Sequence, residues 1–546
     1  MLNSHIILKG NPVEEKFREF LKYYESKVVE LSRENSLSYF NASISGKPED
    51  YQRSSELQLK LSRIFTNKED FAKLKSFKES GEIVEPLLKR QLELIYNSYA
   101  ENQYEEKLLE EIITLSTKVE EAFATYRVDV GGKSLTDNQI DEILSESTNS
   151  VELEETWKAS KQIGALVEKD VIELVKKRNL AATQLGYKNY HEMSLLLSEQ
   201  SAEEIEILFD ELDELTRNAF VKLKSEIDSF LCQKYSITPE QLMPWHYQDK
   251  FFQHGPKIYS VELDSYFKEK DIEQLTKEYF DGIGLNIDNL ISKSDLYEKE
   301  GKYQHAYCTD IDRCGDVRVV CNIKPTHRWM STILHEFGHA AYDKFINPTL
   351  PWSLHSHAHI FTTEAIAMLF GRFTSIPAWL KDVVGISHGE AEKISSACFN
   401  SLRLEQLVFT RWVQVMYRFE KSMYENPDQD LNALWWKLVE RYQLIKKPAG
   451  RNNADWASKI HVALYPAYYH NYMLGELLAS QLYGFITKNI LKPDDSASFS
   501  NNKNVGEFLK TEFFSPGASL NWRELIQSST KEPLSAKHYA SQFIDS

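Results

Sequence analysis

The 546-residue sequence has few glycines and prolines, no long apolar run and no cluster of basic residues. Its 21 glycines and 16 prolines are below average usage, and long stretches contain neither residue, which favours a mostly helical chain. No segment approaches the roughly 18 consecutive apolar residues of a membrane-spanning helix. The 81 acidic residues outnumber the 64 basic ones. We therefore expect neither a membrane nor a nucleic acid as a partner, because lysine and arginine contacts to phosphate dominate nucleic-acid binding.

Cysteine is also scarce, and its five copies include no Cys-x-x-Cys pair. A disulfide framework is therefore not expected, and a reducing compartment is favoured. Cys308, Cys314 and Cys321 lie close together, so a cysteine-only zinc site is an alternative, although the spacing typical of such sites is missing. The N-terminal stretch MLNSHIILKG has only a short apolar patch and does not resemble a secretory signal. These features predict a cytoplasmic protein.

The sequence shows helical spacing of apolar residues in several segments and a strand pattern in one. Ser201 and Glu204 match a capping box, and apolar residues follow at helical spacing through residues 205–215. Residues 105–125 show the same spacing. Residues 303–324 contain two β-type runs around a polar turn, which predicts a hairpin.

The chain offers no internal repeat and no convincing linker. We therefore treat residues 1–546 as one unit with interleaved lobes. Within it, residues 1–240 form a mainly helical N-terminal part, and residues 241–480 carry the chemically informative segments.

The stretch STILHEFGHAAYDKF, residues 331–345, places two histidines and a carboxylate in an apolar run. On a helix, His335 and His339 lie one turn apart on the same face and can bind one metal ion, with Glu336 beside them to reach a water molecule. The Asn-Pro pair at residues 347–348 ends the predicted helix. The same pattern occurs by chance in proteins that bind no metal, so a further ligand decides its meaning.

Glu364 lies in the later segment FTTEAIAMLFGR, a predicted apolar helix that Thr362 or Thr363 would cap. A carboxylate is seldom buried in such a helix unless it is paired or bound to a metal. The alternative is that Glu364 is a capping glutamate in the first turn of the helix. Two histidines, one glutamate and an open fourth position form the pattern of catalytic zinc, so we predict one zinc ion per chain. A rival site consists of the histidines of HSHAH, whose alternating spacing suits an extended loop at the rim. These are His355, His357 and His359.

These residues resemble the angiotensin-converting-enzyme family of zinc peptidyl-dipeptidases, which are gluzincins, in its single-domain bacterial type without a signal peptide. The segments that carry the resemblance, besides the zinc motif, are QHAYCTD, PWHYQDK, WWKLVERYQ and KIHVALYPAYYHNYMLGELLASQ. The resemblance implies a mostly α, two-lobed helical metallopeptidase with a deep central cleft and a short β-hairpin. It also implies oligopeptide substrates that lose dipeptides from their C-terminus.

The resemblance assigns roles to individual residues. Glu336 would act as general base and then acid, and His461 and Tyr472 would stabilise the oxyanion. His305 and Ala306 would line the substrate backbone. The residues that would grip the substrate's C-terminal carboxylate are Gln248, Lys459 and Tyr469.

The sequence also departs from the family pattern. Met368 stands where the animal enzymes have a carboxylate, so support for the metal ligands must come from elsewhere. Val439 and Asn471 replace chloride-binding arginines, which predicts no chloride activation. Gln304 replaces one cysteine of the family's disulfide, in agreement with an intracellular location.

Two other functions stay open from the sequence. A zinc oligoendopeptidase or carboxypeptidase of the same clan, such as the thimet and oligopeptidase F groups, would share the zinc centre but differ in whether the substrate's C-terminus is held. An inactive helical peptide-binding homologue would keep the fold without the chemistry. The sequence does not indicate which oligomeric state the protein adopts.

Overall fold

The structure of the protein is a computed structural model that describes residues 11–259 and 261–544. It is 68% helical, with two small antiparallel hairpins, which confirms the predicted mostly α fold. The N-terminal patch that does not resemble a secretory signal lies in residues 1–10, outside the described residues. The two lobes and the deep cleft stay predictions.

In the described residues from position 11 onward, ten α-helices precede residue 240. They are α1 (Pro12–Ser45), α2 (Pro48–Phe65), α3 (Lys68–Ser80), α4 (Pro86–Ala100), α5 (Glu106–Thr125), α6 (Asp137–Glu146), α7 (Ser150–Ser160), α8 (Gln162–Gln184), α9 (Tyr190–Leu197) and α10 (Ala202–Tyr235). Ser201 caps α10 by accepting a hydrogen bond from the Glu204 amide, as its sequence pattern predicts.

The helices that follow carry the predicted site. They are α11 (Asp264–Phe267), α12 (Ile272–Gly282), α13 (Asp288–Ile291), α14 (His327–Lys344), α15 (Ile360–Phe373), α16 (Pro377–Trp379), α17 (His388–Glu425), α18 (Leu431–Tyr442), α19 (Ile460–Leu464), α20 (His470–Asn489), α21 (Lys503–Phe508), α22 (Trp522–Thr530) and α23 (Lys537–Phe543). Thr326 caps α14, which ends at Lys344 ahead of the Asn-Pro pair.

The start of α15 corrects one expectation. Neither Thr362 nor Thr363 is its cap: His359 occupies that position and accepts a hydrogen bond from the Phe361 amide through its ring nitrogen. The helix therefore begins earlier than predicted, and Glu364 lies within the helix rather than at its N-terminus. Histidine is not among the usual capping residues, so propensity alone placed the start too late.

The strands form two hairpins. β1 (Val128–Val130) pairs with β2 (Lys133–Leu135), and β3 (Tyr307–Asp310) pairs with β4 (Val317–Val320), the second of which confirms the hairpin predicted at residues 303–324. A bridge from Asp295 to Val320 covers the outer side of β4. β3 is therefore the edge of its sheet, where a backbone can still be paired.

Three apolar clusters hold the helices together. The largest runs through the chain from Val119 to Phe543, a second joins side chains of α1, α3 and α4, and a small third one contains Phe40, Ile311 and Val320. Within residues 11–259 and 261–544, no helix is both long and apolar enough to cross a membrane.

Candidate active site

The three predicted zinc ligands lie together at the crossing of α14 and α15. The Nε2 atom of His335 is 3.8 Å from Oε2 of Glu364, and Nε2 of His339 is 3.9 Å from the same oxygen. One ligand atom from each residue falls within 4.8 Å of the other two. Ligand bonds of about 2.0–2.2 Å around a tetrahedral ion require separations of this size. The donor set and its geometry therefore fit zinc.

Burial sets the protonation of this group. It lowers the pKa of His335 to about 4. It also lowers the pKa of His339 well below the ordinary value, with smaller contributions from the neighbouring His335 and His357. Both imidazoles are therefore neutral near pH 7, which is the form that binds a metal. Burial raises the pKa of Glu364 to about 7, and a bound cation would lower this pKa again.

A second contact orients one of the imidazoles. Nδ1 of His339 lies 2.8 Å from Oγ1 of Thr363, so its Nε2 is left facing Glu364. Fixing the remote ring nitrogen in this way holds the ring plane of a metal-binding histidine. Thr363 thus supplies support from the residue next to the glutamate, in a chain where Met368 offers no carboxylate.

Glu336 lies next to these side chains and is itself buried. Burial, followed by the charge of Glu364, raises the pKa of its carboxyl to about 8. Across from it on β3, burial raises the pKa of the Cys308 thiol well above the ordinary value, with Asp343 and Glu336 adding to the effect. The carboxylate and the edge strand are therefore close neighbours.

The metal group depends on close approach between three helices. A Cβ atom added to Gly338 on α14 would lie 2.9 Å from the Cα atom of Ala367 on α15. A Cβ atom added to Gly475 on α20 would lie 3.1 Å from the Cβ atom of Glu364 and 3.1 Å from the sulfur of Met368. Glycine at position 338 lets α14 approach α15 this closely, and glycine at position 475 avoids a tight contact between α20 and the side chains of Glu364 and Met368.

We expect Gly338→Ala to lower the free energy of unfolding by about 1–3 kcal/mol, because the added methyl group must push α15 away. The shift also moves Glu364, so zinc affinity should fall. Gly389→Ala is the matched control, since nothing lies within 4 Å of a Cβ atom there and alanine favours a helix. Urea unfolding and competitive zinc titration of both variants measure the effects. Equal stability and affinity in Gly338→Ala would contradict the packing argument.

A second group forms around Lys459, which precedes α19. Its Nζ atom donates a hydrogen bond of 2.6 Å to Oε1 of Gln253. The same atom is 5.5 Å from the ring centres of Tyr469, Trp412 and Phe251. Burial lowers the pKa of this lysine to about 8. A partly buried ammonium beside an amide and a phenol is a suitable receptor for a carboxylate.

The glutamine in this group is Gln253, and the predicted Gln248 is not part of it. Gln248 adopts a left-handed backbone with φ of 63°, and its Oε1 accepts a hydrogen bond of 3.2 Å from the Lys257 amide. Gln253 is placed by Asp249, whose Oδ1 accepts hydrogen bonds from the amides of Phe251 and Gln253. This loop has no periodic pattern, so spacing could not distinguish the two glutamines.

A cavity of 350 Å³, called here the active-site cavity, joins the second group to the predicted oxyanion residues. It is lined by Gln253, His254, Met368, Glu405, Gln406, Phe409, His461, Tyr469, Tyr472 and Glu476. Nδ1 of His461 is buried with no hydrogen-bond partner among the described residues. Burial, followed by the charge of Glu364, raises the pKa of Tyr472, so these two side chains lie near enough to interact.

The first turn of α20 is held from behind by residues that no sequence motif indicated. Gln200 donates from Nε2 to Oδ1 of Asn471 at 2.8 Å, and its Oε1 lies 2.8 Å from Nε2 of His470. Glu420 accepts a hydrogen bond of 2.8 Å from the amide of Ala467, which has a φ of 53°. Together these contacts fix the turn that presents Tyr469 and Tyr472.

His305 and Ala306 immediately precede β3 rather than lying in it. His305 is exposed and its ring packs near that of Tyr303, with 5.3 Å between centroids. Their position at the start of an edge strand, just before Cys308, suits contact with an extended peptide. The structure records no contact that joins them to the metal group.

The rival metal sites do not assemble among the described residues. His357 lies 3.5 Å from Asp343, His359 caps α15, and His355 is buried with Nδ1 unpartnered. The cysteines are free thiols, and no metal-binding group of the described chain includes one. HSHAH is therefore better interpreted as part of a loop, and the clustered cysteines as ordinary free thiols.

Comparison with known proteins places the chain among peptidases. The family model for angiotensin-converting enzyme matches residues 11–250, which contain only one of the quoted segments, PWHYQDK. Angiotensin-converting enzyme of Mus musculus is 23% identical over 266 residues, and that of Rattus norvegicus is 24% identical over 267 residues. Each match covers 46% of this chain and 20% of the relative, so it spans about a fifth of these proteins.

A second family model covers the part of the chain that carries the site. The model for peptidase family M3 matches residues 150–544, which include α14, α15 and α20. Both families are zinc-dependent, in agreement with the donor set described above. Because this match extends over most of the sequence, the chain belongs to peptidase family M3.

Proposed function

We propose that this protein is a zinc-dependent metallopeptidase that hydrolyses oligopeptides and releases dipeptides from their C-terminus. The convergence of His335, His339 and Glu364 beside the buried Glu336 supports the hydrolytic centre. The group of Gln253, Lys459 and Tyr469 across the active-site cavity supports recognition of a free C-terminus. All five cysteines are free, which supports a reducing, cytoplasmic compartment.

One zinc ion held by His335, His339 and Glu364 would supply Lewis-acid polarisation of the scissile carbonyl and acidify a water molecule. Glu336 takes the proton of the attacking water on its carboxylate and passes it to the leaving amine. The Tyr472 hydroxyl and the His461 imidazole donate hydrogen bonds to the oxygen that becomes negative. The buried setting of these groups strengthens each interaction, because little water competes for it.

Substrate alignment completes the proposal. The chain around His305 and Ala306 pairs with the substrate backbone next to β3. Lys459 supplies the positive charge for the terminal carboxylate, while Gln253 and Tyr469 supply directed hydrogen bonds. Because this receptor lies at a fixed distance from the metal group, it determines the length of the released product.

A zinc oligoendopeptidase is the second candidate, and one observation favours it. The family M3 model, rather than the angiotensin-converting-enzyme model, matches the residues that form the site. Such an enzyme would cleave within a peptide and would not require a free C-terminus. Paired peptides that differ only in a free or amidated C-terminus separate the two candidates.

Gln253→Ala should raise KM for free-acid peptides by about 10- to 100-fold and leave amidated peptides almost unchanged, since it removes a hydrogen bond to a charged group. Gln248→Ala is the matched control and should change neither substrate class, because its side chain bonds to the Lys257 amide instead. Steady-state kinetics with both peptide classes measures the difference. If wild type cleaves amidated peptides as well as free acids, dipeptide release is rejected and the oligoendopeptidase is favoured.

A further inference from the structure

Two carboxylates, Glu405 and Glu476, lie on the wall of the active-site cavity, and they differ in whether a basic side chain pairs with them. Glu476 forms an ion pair with the buried Arg372 and accepts a hydrogen bond of 3.3 Å from Gln406. Its charge is therefore neutralised by the protein. It cannot act as a free anion toward a ligand in the cavity.

Glu405 has no such partner among the described lysines and arginines. Its carboxylate has only two long contacts, 3.5 Å to Nδ1 of His254 and 3.4 Å from the amide of Gly255. The side chain is 46% exposed and lines the active-site cavity. Glu405 is thus a carboxylate on the cavity wall that no lysine or arginine of the described chain neutralises.

We propose that Glu405 selects a lysine or arginine side chain in the part of the substrate between the scissile bond and the C-terminus. The inference rests on the proposed function, which puts the scissile bond near Tyr472 and the terminal carboxylate near Gln253. Both residues line the same 350 Å³ cavity, so the side chains of the released dipeptide project into it. Glu405 lies on the wall that they meet.

The remaining wall fits the rest of a long basic side chain. Met368 and Phe409 also line the cavity and offer apolar surface to a methylene stem, while Glu405 receives the charged head. An acidic side chain in the same place would be repelled by Glu405, and this repulsion adds to the selectivity. Lys459 does not interfere, because it is directed to Gln253 and the terminal carboxylate.

The test uses the zinc-loaded full-length protein and free-acid peptides that differ at one of the last two positions. Lysine and norleucine are compared, since they share the stem and differ in charge. Wild type should prefer lysine at one of these positions by about five- to tenfold in kcat/KM. Glu405→Gln should reduce the preference to less than about twofold, because kcat/KM for the lysine peptide falls toward that for the norleucine peptide.

Glu392→Gln is the matched control. It lies on α17 like Glu405, and its carboxylate also contacts a histidine, His388 at 3.3 Å, but it is exposed and lies outside the cavity. It should keep the full lysine preference. A preference unchanged in Glu405→Gln, or no preference in wild type, overturns this inference alone, because the norleucine peptide still reports hydrolysis. Failure of wild type to hydrolyse any of the peptides overturns the proposed function as well.

Discussion

Replacing Glu336 with glutamine should lower kcat by about 10²- to 10⁴-fold while the protein keeps one zinc ion per chain. The amide has nearly the shape of the carboxylate but cannot accept the water's proton. Because Glu336 is buried beside the metal group and is not one of its three members, the metal should remain. Peptide-cleavage kinetics and elemental analysis of the same preparation measure the two effects.

The stability of this variant serves as its internal control. Burial raises the pKa of Glu336, so the neutral amide places no extra charge in the interior, and the melting temperature should not fall. A near-normal kcat would remove Glu336 from the mechanism. A loss of activity with a loss of zinc would instead show that the residue holds the metal site together.

His339→Ala should abolish stoichiometric zinc binding and, with it, activity. The substitution removes one of three ligands and also releases the Thr363 hydroxyl from its 2.8 Å contact. Two remaining ligands cannot complete a catalytic zinc site, which uses three protein side chains. Zinc content after dialysis against a weak chelator measures the loss.

His357→Ala is the matched control for this variant. His357 is a partly exposed histidine that lies 3.5 Å from Asp343 and belongs to the rival HSHAH cluster. It should retain its zinc. Full metal retention in His339→Ala, or metal loss confined to His357→Ala, would reject the predicted ligand set in favour of the rival one.

The metal group could be predicted because its information is local. His335 and His339 are four positions apart on a helix, and this spacing alone puts both on one face. Glu364 followed from the contrast between a carboxylate and its apolar helix. The structure brings all three together, although α15 begins with a histidine cap that propensity did not indicate.

The supporting residues could not be predicted because their contacts join distant parts of the chain. Gln200 meets His470 and Asn471 across 270 and 271 positions, and Gln253 meets Lys459 across 206. Neither glutamine belongs to a motif, and Gln253 lies in a loop without periodicity. A buried hydrogen-bond partner of this kind is recognisable only after the fold has brought the segments together.

The similarity to known peptidase families is also distributed unevenly along the chain. The segments quoted for the angiotensin-converting-enzyme family lie within residues 244–481, yet that family's model matches residues 11–250. The similarity of the N-terminal helices is spread over many weakly informative positions, whereas chemical motifs draw attention to a few strong ones. The model for peptidase family M3 matches residues 150–544, which include the active-site residues, and this family is also zinc-dependent.

The most direct test of the central claim is product analysis by mass spectrometry of a defined peptide mixture, with metal-free protein and with the same protein reloaded with one zinc ion per chain. We expect no cleavage by the metal-free protein, and C-terminal dipeptides from free-acid peptides after zinc is restored. Cleavage that persists without metal, or no cleavage by the zinc-loaded protein, would contradict a zinc-dependent peptidase.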